Sequence, residues 1–307
     1  MKKLILILLL NFVCILMVAQ SNIRLNNYWA NLHYINPSAV YDKYMAVFSV
    51  AASKQWYGFS GAPTTFFASG TTYIDDIHSQ IGLVLVQDKI GFTSTTSIDL
   101  SYAYSIQFQN KWQLHLGLGL NNLSTYYDPS QVNLITDADN NAYQYLKSEN
   151  NFNADLGLEV IYKSLKIGAS SQNVFSMFSH VDFHQINTNF LYARYRDNTD
   201  NVVNMGYGIC GIQYSNMYQM ELNATSYLKI PPIAGLNMKP ELIDVGLFYR
   251  TGSEIGLVFG FELSESLHLS YTYDYHVGGI SRSSLGTNEL MLTYNLSKRN
   301  VCHSCWY

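Results

Sequence analysis

The feature of this chain that most constrains its fold is an alternation of apolar and polar side chains with a period of two residues. The runs 100–108 and 267–276 alternate in this way. In a third run, every second residue is large and apolar, namely Trp112, Leu114, Leu116, Leu118 and Leu120. Alternation over roughly ten residues predicts β-strands with one apolar and one polar face. Convincing helical periodicity is absent, so the sequence predicts an all-β fold.

Two architectures contain strands of this kind. A soluble sandwich turns its apolar faces to a core, whereas a membrane barrel turns them to lipid and its polar faces to the lumen. The composition favours the barrel, because only 13% of the residues are charged, against about 25% in a typical soluble domain. The polar faces are rich in Gly, Ser, Thr, Asn and Gln, and tyrosines concentrate toward the strand ends, as in an interfacial girdle. We therefore predict a single transmembrane antiparallel up-and-down β-barrel.

The number of alternating runs predicts about fourteen strands. These are 45–56, 64–75, 78–88, 95–108, 111–125, 151–162, 165–173, 204–215, 217–229, 231–240, 242–250, 253–263, 266–277 and 286–296. The run 231–240 is the weakest because prolines open and close it, and 190–196 either replaces it or forms a hairpin in a loop. On this map, the turn 215–216 belongs with the short connections, while 126–150 and 174–203 lie at the opposite end of the barrel. Short turns face the periplasm in bacterial barrels, which places both chain ends there.

The terminal regions complete the domain organisation. Residues 1–19 combine a charged start with an apolar stretch too short to span a bilayer, which predicts a cleaved signal peptide. We interpret residues 20–44 as a periplasmic or plug-like lead-in, 45–296 as the outer-membrane barrel, and 297–307 as a short periplasmic tail. The formal net charge of −4 gives no indication of a nucleic-acid partner.

Histidines with nearby carboxylates are the first candidates for chemistry. His268, Asp274 and His276 share the polar face of one predicted strand and would point into the lumen. A catalytic triad also needs a nucleophile beside its base, and no second strand clearly supplies one. The stretch 180–184 holds two histidines and an aspartate, for which a solvated loop is a simpler interpretation than a metal site.

Two further motifs have equally plain interpretations. The stretch 137–141 resembles a calcium-binding loop but lacks the glycine and the glutamate that such a loop requires. Cys302 and Cys305 form a C-x-x-C in the tail, where nothing indicates a lowered thiol pKa, so a local disulfide or two thiols is the expected state. The sequence therefore predicts neither an enzyme nor a cofactor or metal site.

The connection after the first predicted strand carries the most distinctive motif. Two glycines and a proline mark a tight connection flanked by aromatic side chains. We interpret it as a candidate contact loop, formed by Gln55, Trp56, Gly58, Phe59, Gly61, Ala62 and Pro63. A rigid turn with interfacial aromatics is an equally good interpretation.

This stretch, continued by Thr64-Thr65, resembles the N-terminal signature of the PorP/SprF family, outer-membrane components linked to the type IX secretion system of Bacteroidetes. Further segments match in the family's order: Asn36-Pro37, 88–91, 94–96, 171–175, 249–252, 273–275 and 286–292. In the last of them, Asn288-Glu289 stands where the family more usually has His-Glu. The match covers most of the mature chain.

The resemblance implies a bacterial outer-membrane barrel that acts in protein secretion, gliding motility or surface attachment. It implies lipid around the barrel, and as partners either periplasmic secretion components or a large adhesin-like secreted substrate. It brings no enzymatic activity and no cofactor. The alternative from another functional class is an outer-membrane passive or facilitated transporter of small or hydrophobic solutes.

Overall fold

The protein forms a closed barrel of fourteen antiparallel strands. A computed structural model describes residues 25–128, 149–178, 186–197, 199, 201–229, 241–252, 254–277 and 284–298. Each strand pairs with its neighbours in sequence, and β14 pairs with β1 to close the sheet. The strands are β1 (Tyr44–Lys54), β2 (Thr64–Ile74), β3 (Ser79–Ile90), β4 (Thr93–Gln107), β5 (Trp112–Tyr127), β6 (Glu149–Tyr162), β7 (Leu165–Gln172), β8 (Thr188–Arg196), β9 (Val203–Tyr214), β10 (Met217–Lys229), β11 (Glu241–Arg250), β12 (Glu254–Ser264), β13 (Leu267–His276) and β14 (Thr287–Ser297). The predicted all-β up-and-down barrel is confirmed.

The outer face of the barrel is apolar and its inner face is polar. On β5, Leu118 and Leu120 are 60% and 66% exposed, whereas His115 and Asn121 are buried. The same alternation runs along β1, where Phe48 and Val50 face outward. An apolar outer surface of this extent is stable in lipid and not in water. The described part of the chain contains no helix of the length and apolarity needed to cross a bilayer.

One strand of the predicted map is assigned differently in the structure. The run around 190–196 is β8, paired with β7 and β9 along its length. The competing run 231–240 lies outside the described residues, and β10 pairs directly with β11. The prolines at both ends of 231–240 were the local signal against it, because proline cannot donate to a central ladder, and they did not settle the assignment.

This reassignment makes one predicted orientation wrong. The turn 215–216 joins β9 to β10 and therefore lies at the end of the barrel where β5 finishes and β6 begins, not at the opposite end. The error arises because the omitted strand reverses the direction of the next two predicted strands, 204–215 and 217–229, and the extra run 231–240 then restores it. Long connections face outward in bacterial barrels, so we expect the end at which β5 and β7 finish to face the cell exterior.

The lumen is occupied by the residues that precede β1. We call residues 25–43 the lumen segment; it includes two short 3₁₀ turns, Tyr28–Ala30 and Leu32–Tyr34. Its large apolar side chains are buried. They form one hydrophobic core with inward-facing side chains of the wall, namely Ala51, Phe67, Val84, Val86, Phe190, Tyr192, Cys210, Ile212 and Met291. The inside of the barrel is thus a packed protein core.

Candidate functional site

The candidate site is the contact surface between the lumen segment and the barrel wall. Leu25, Tyr28 and Ile35 are fully buried there, and the Tyr28 and Trp29 rings stack with centroids 4.9 Å apart. Burying a large apolar side chain stabilises a fold by about 1.5–3 kcal/mol. Several such side chains along one segment therefore hold it firmly in the lumen.

A buried guanidinium organises the polar part of this surface. Arg250 on β11 lies 2.6 Å from Glu221 (Nη2 to Oε2) and 2.7 Å from Glu254 (Nη1 to Oε2). The indole Nε1–H of Trp29 donates to the same Glu221 carboxylate. His276 lies 2.8 Å from the other oxygen of Glu254. The charges of β10, β11 and β12 thereby fix the position of a lumen-segment side chain.

Two more carboxylates bind the beginning of the lumen segment. Glu289 on β14 accepts hydrogen bonds from the backbone N–H groups of Asn26, at 2.7 Å, and Asn27, at 2.9 Å. Asp274 on β13 accepts one from the Asn26 side-chain amide at 2.7 Å. Hydrogen bonds to a carboxylate are stronger than those between neutral groups, so these contacts anchor the segment.

The turn Asn36-Pro37-Ser38 fits against a glycine surface of the wall. Asn36 Oδ1 accepts from the backbone N–H of Ser38, and Asn36 Nδ2 donates to the Tyr192 hydroxyl at 3.1 Å. A Cβ atom on Gly117 would lie 2.3 Å from the Ser38 nitrogen, and one on Gly157 would lie 2.1 Å from Asn36 Oδ1. Only glycine leaves room for the segment at these two wall positions.

Wall side chains also satisfy backbone groups of the lumen segment, which has no strand partner of its own in the described structure. Ser170 donates to the Ile35 carbonyl at 2.6 Å, and Gln172 donates to the Tyr34 carbonyl at 2.9 Å. Gln80 both donates to the Ala39 carbonyl and accepts from the Tyr41 N–H. Buried backbone groups need such partners, and here inward-facing residues provide them.

His33 is the titratable imidazole of the lumen segment. Its Nε2 lies 2.9 Å from the Ser101 hydroxyl, and a Cβ atom on Gly82 would lie 2.2 Å from the same nitrogen. Burial lowers the pKa of His33 to about 4. The side chain is therefore neutral at physiological pH and contributes a hydrogen bond and no charge.

The histidines considered above as catalytic candidates do not form a triad. His268 pairs with Asp244 on β11 at 2.6 Å, whereas His276 pairs with Glu254 on β12. Asp274 binds Asn26 of the lumen segment, and its nearest approach to His276 is 3.9 Å. The structure thus separates His268 from the other two. Among the described residues, no group of three or more His, Cys, Asp or Glu side chains is arranged to hold a metal ion.

The remaining motif candidates lie outside the described residues. These are the histidine-containing stretch 180–184, the acidic stretch 137–141, and the pair Cys302 and Cys305. The described cysteine, Cys210, is buried beside the lumen segment and is not in a disulfide.

The loop 55–63 spans the outer rim between β1 and β2. Its ends are joined by a hydrogen bond from Gln55 N to Pro63 O, and Tyr57 exchanges two backbone hydrogen bonds with residues 285 and 286 before β14. Gly61 has a φ of 75° and accepts from the Gly91 N–H of the neighbouring turn, so a residue with a side chain would be strained there. Phe59 is 53% exposed. The loop has a fixed backbone that presents aromatic side chains outward.

Sequence reasoning did not connect the charged residues of the wall with the lumen segment. Arg250 and Glu289 entered only as parts of segments that resemble the family, and Asp274 entered also as a catalytic candidate. Glu221 and Glu254 were not singled out. A usable signal was present, since these are ionisable residues at inward positions of strands in a chain poor in charge. Buried charges are normally paired, so several on one wall indicate an internal partner.

A closed barrel with an apolar outer face and a packed lumen defines an integral β-barrel membrane protein. The family described as type IX secretion system membrane protein PorP/SprF matches residues 17–294. The chain belongs to this family and is a bacterial outer-membrane protein.

Several solved structures are similar to this one at very low sequence identity. The TodX deltaS2S3 mutant, a monoaromatic hydrocarbon channel, is 9% identical, covers 87% of this chain and 94% of its own, and has a TM-score of 0.50. A Pseudomonas aeruginosa FadL homologue is 10% identical, covers 85% of this chain and 92% of its own, and has a TM-score of 0.48. Omp33 from Acinetobacter baumannii is 9% identical over 82% and 98%, with a TM-score of 0.45. A search of curated proteins gives no match.

Proposed function

We propose that this protein is a non-enzymatic, sealed docking barrel of type IX secretion. It serves secretion, gliding or surface attachment by binding other proteins, either periplasmic components of the secretion machine or a large adhesin-like exported substrate. Membership of the family supports the link to secretion. The observation that carries the docking role is the lumen segment, whose apolar side chains and ion-paired contacts are packed against the wall inside the barrel.

A solute transporter is the alternative from another class. Two of the similar barrels are named a hydrocarbon channel and a FadL homologue, but at 9% and 10% identity they indicate the fold alone. In this chain, residues 25–40 pack into the wall as a hydrophobic core, with Leu25, Tyr28 and Ile35 fully buried. Such a plug favours a structural and binding role over transport.

The proposed function is tested by gene deletion together with electrical recording. We expect deletion to lower the cell-surface level of at least one exported protein, measured by quantitative mass spectrometry of surface-shaved cells. We expect the purified wild-type barrel to show no stepwise conductance in planar bilayers. Unchanged surface proteins after deletion, combined with reduced uptake of a small solute, would instead support the transporter.

We propose the loop 55–63 as one contact surface for a partner, because it presents Phe59 from a fixed backbone. Phe59→Ser is expected to lower the surface level of the dependent exported proteins by about tenfold, as removal of one interface anchor does. Tyr218→Ser is the matched control, since Tyr218 is a 72% exposed aromatic side chain at the same end of the barrel. Equal secretion in both variants would show that the loop is only a rigid turn.

A further inference from the structure

The outer part of β6 extends beyond its neighbour β7. β6 has 14 residues and β7 has 8. Their ladder runs from Tyr162, paired with Leu165, to Leu156, paired with Ser171, and ends there. Residues 149–155 of β6 continue outward and remain paired with β5. The outer end of β6 therefore extends past the end of β7. In the described structure no strand lies beside this upper edge of β6.

The phase of the ladder shows which backbone groups face that edge. The N–H of Ala154 donates to the Asn153 side-chain oxygen at 2.9 Å and not to β5. In an antiparallel pair, residues that bond to one neighbour alternate with residues that bond to the other. Asn150 and Phe152 therefore point their N–H and C=O groups in the same direction as Ala154, away from β5. Both residues are exposed.

Apolar side chains flank this edge. After β7 the chain makes a short 3₁₀ turn, Val174–Met177, whose Phe175 N–H donates to the Asn153 side chain at 2.8 Å. This contact holds the turn next to β6. Met177 and Phe178 are 59% and 79% exposed, and Phe152 on the strand itself is 76% exposed. Exposed apolar side chains on the outer face of a membrane barrel can contact lipid or the side chains of a bound protein chain.

The lumen side of the same edge is polar and hollow. A cavity of about 330 Å³ lies there above the lumen segment. Its lining includes Asn121, Thr125, Asp155 and Asn173. An extended chain laid along β6 would direct alternate side chains into this cavity and toward the apolar cluster.

We propose that the upper edge of β6, residues 149–154, binds an extended segment of an exported protein by β-strand addition. The inference rests on the proposed docking function and names its recognition chemistry. Backbone groups of Asn150 and Phe152 would pair with the incoming strand. Apolar side chains of that strand would contact Phe152, Phe175, Met177 and Phe178, and the intervening polar ones would enter the cavity. Main-chain pairing supplies affinity and alternate side-chain contacts supply specificity, as in other strand-addition complexes.

The test removes a single N–H group from the edge. Phe152→Pro deletes the donor that faces the incoming strand without deleting a bond to β5, and proline is tolerated at strand edges. Phe152→Ala is the matched control, because it loses the ring and keeps the donor. Both variants are expressed in a deletion strain, and surface levels are measured for the exported proteins that fall in that strain. Asn150→Pro against Asn150→Ala repeats the comparison at a second position.

We expect each proline variant to lower these surface levels by about tenfold relative to its alanine control, the largest loss that one backbone hydrogen bond typically causes. The folded band of each variant in the outer membrane should equal that of its control. Equal secretion by proline and alanine variants overturns the inference while leaving the docking function intact. A lower unfolding temperature of the purified proline variants also overturns it, since that would mean that the chain's own connections occupy the edge. If deletion itself changes no exported protein, the docking function fails first.

Discussion

Replacement of Gly117 and Gly157 by alanine is expected to displace the lumen segment and to make the barrel, which we propose is sealed, conduct ions. A Cβ atom at position 117 would lie 2.3 Å from the Ser38 nitrogen and 2.5 Å from the Pro37 carbonyl carbon. Both are backbone atoms, which no rotamer change moves aside. At position 157 the clash is with Asn36 Oδ1 at 2.1 Å. The turn at residues 36–38 therefore has to move away from the wall.

The expected loss of stability is about 1–3 kcal/mol at each of the two sites, the usual cost of overpacking. Planar-bilayer recording of the purified double variant should show stepwise conductance, and a protease should cleave within residues 25–43. Gly211→Ala is the control, because the nearest atom to its Cβ is the Leu191 carbonyl oxygen at 3.8 Å. A double variant that shows no conductance and unfolds at the wild-type temperature would contradict the conclusion that these glycines make room for the turn at residues 36–38.

Replacement of Arg250 by methionine is expected to be the most destabilising single change at the ion pairs. Methionine has a similar length but no charge. Glu221 and Glu254 would therefore stay buried without the cation that pairs with both of them. Removing one partner of a buried ion pair costs about 3–5 kcal/mol, because the remaining charge stays buried and uncompensated.

The measurement is the temperature at which the folded, fast-migrating band disappears on a gel. We expect a large decrease for Arg250→Met and a partial recovery when Glu221→Gln and Glu254→Gln are added, since the neutral amides leave no buried charge. Lys54→Met is the control, because Lys54 is exposed on the rim. If Arg250→Met keeps the wild-type melting temperature, the ion pairs do not hold the segment in place.

Several features of the fold were predictable from local patterns. The strands around Leu118 and Tyr102 alternate so strictly that their outward faces follow directly from side-chain period. The strand 190–196 was harder, because neither it nor 231–240 alternates strictly and the pairing partners of 190–196 lie far away in the sequence. The turn 215–216 was misplaced for the same reason. Pairing is a long-range property that no local pattern contains.

By itself, the sequence determined the class of fold, because a period of two residues and the scarcity of charge leave lipid as the environment of the apolar face. It also contained the motifs Asn36-Pro37, Arg250 and Glu289, without a reason for their spacing. Only the tertiary structure decided what they do. Closure of β1 on β14 brings Asn26 within 2.7 Å of Glu289, more than two hundred and sixty residues away. Separate stretches of polar residues thereby become one surface that holds the lumen segment, because charges buried inside a barrel require partners, and the folded chain supplies them across its own interior.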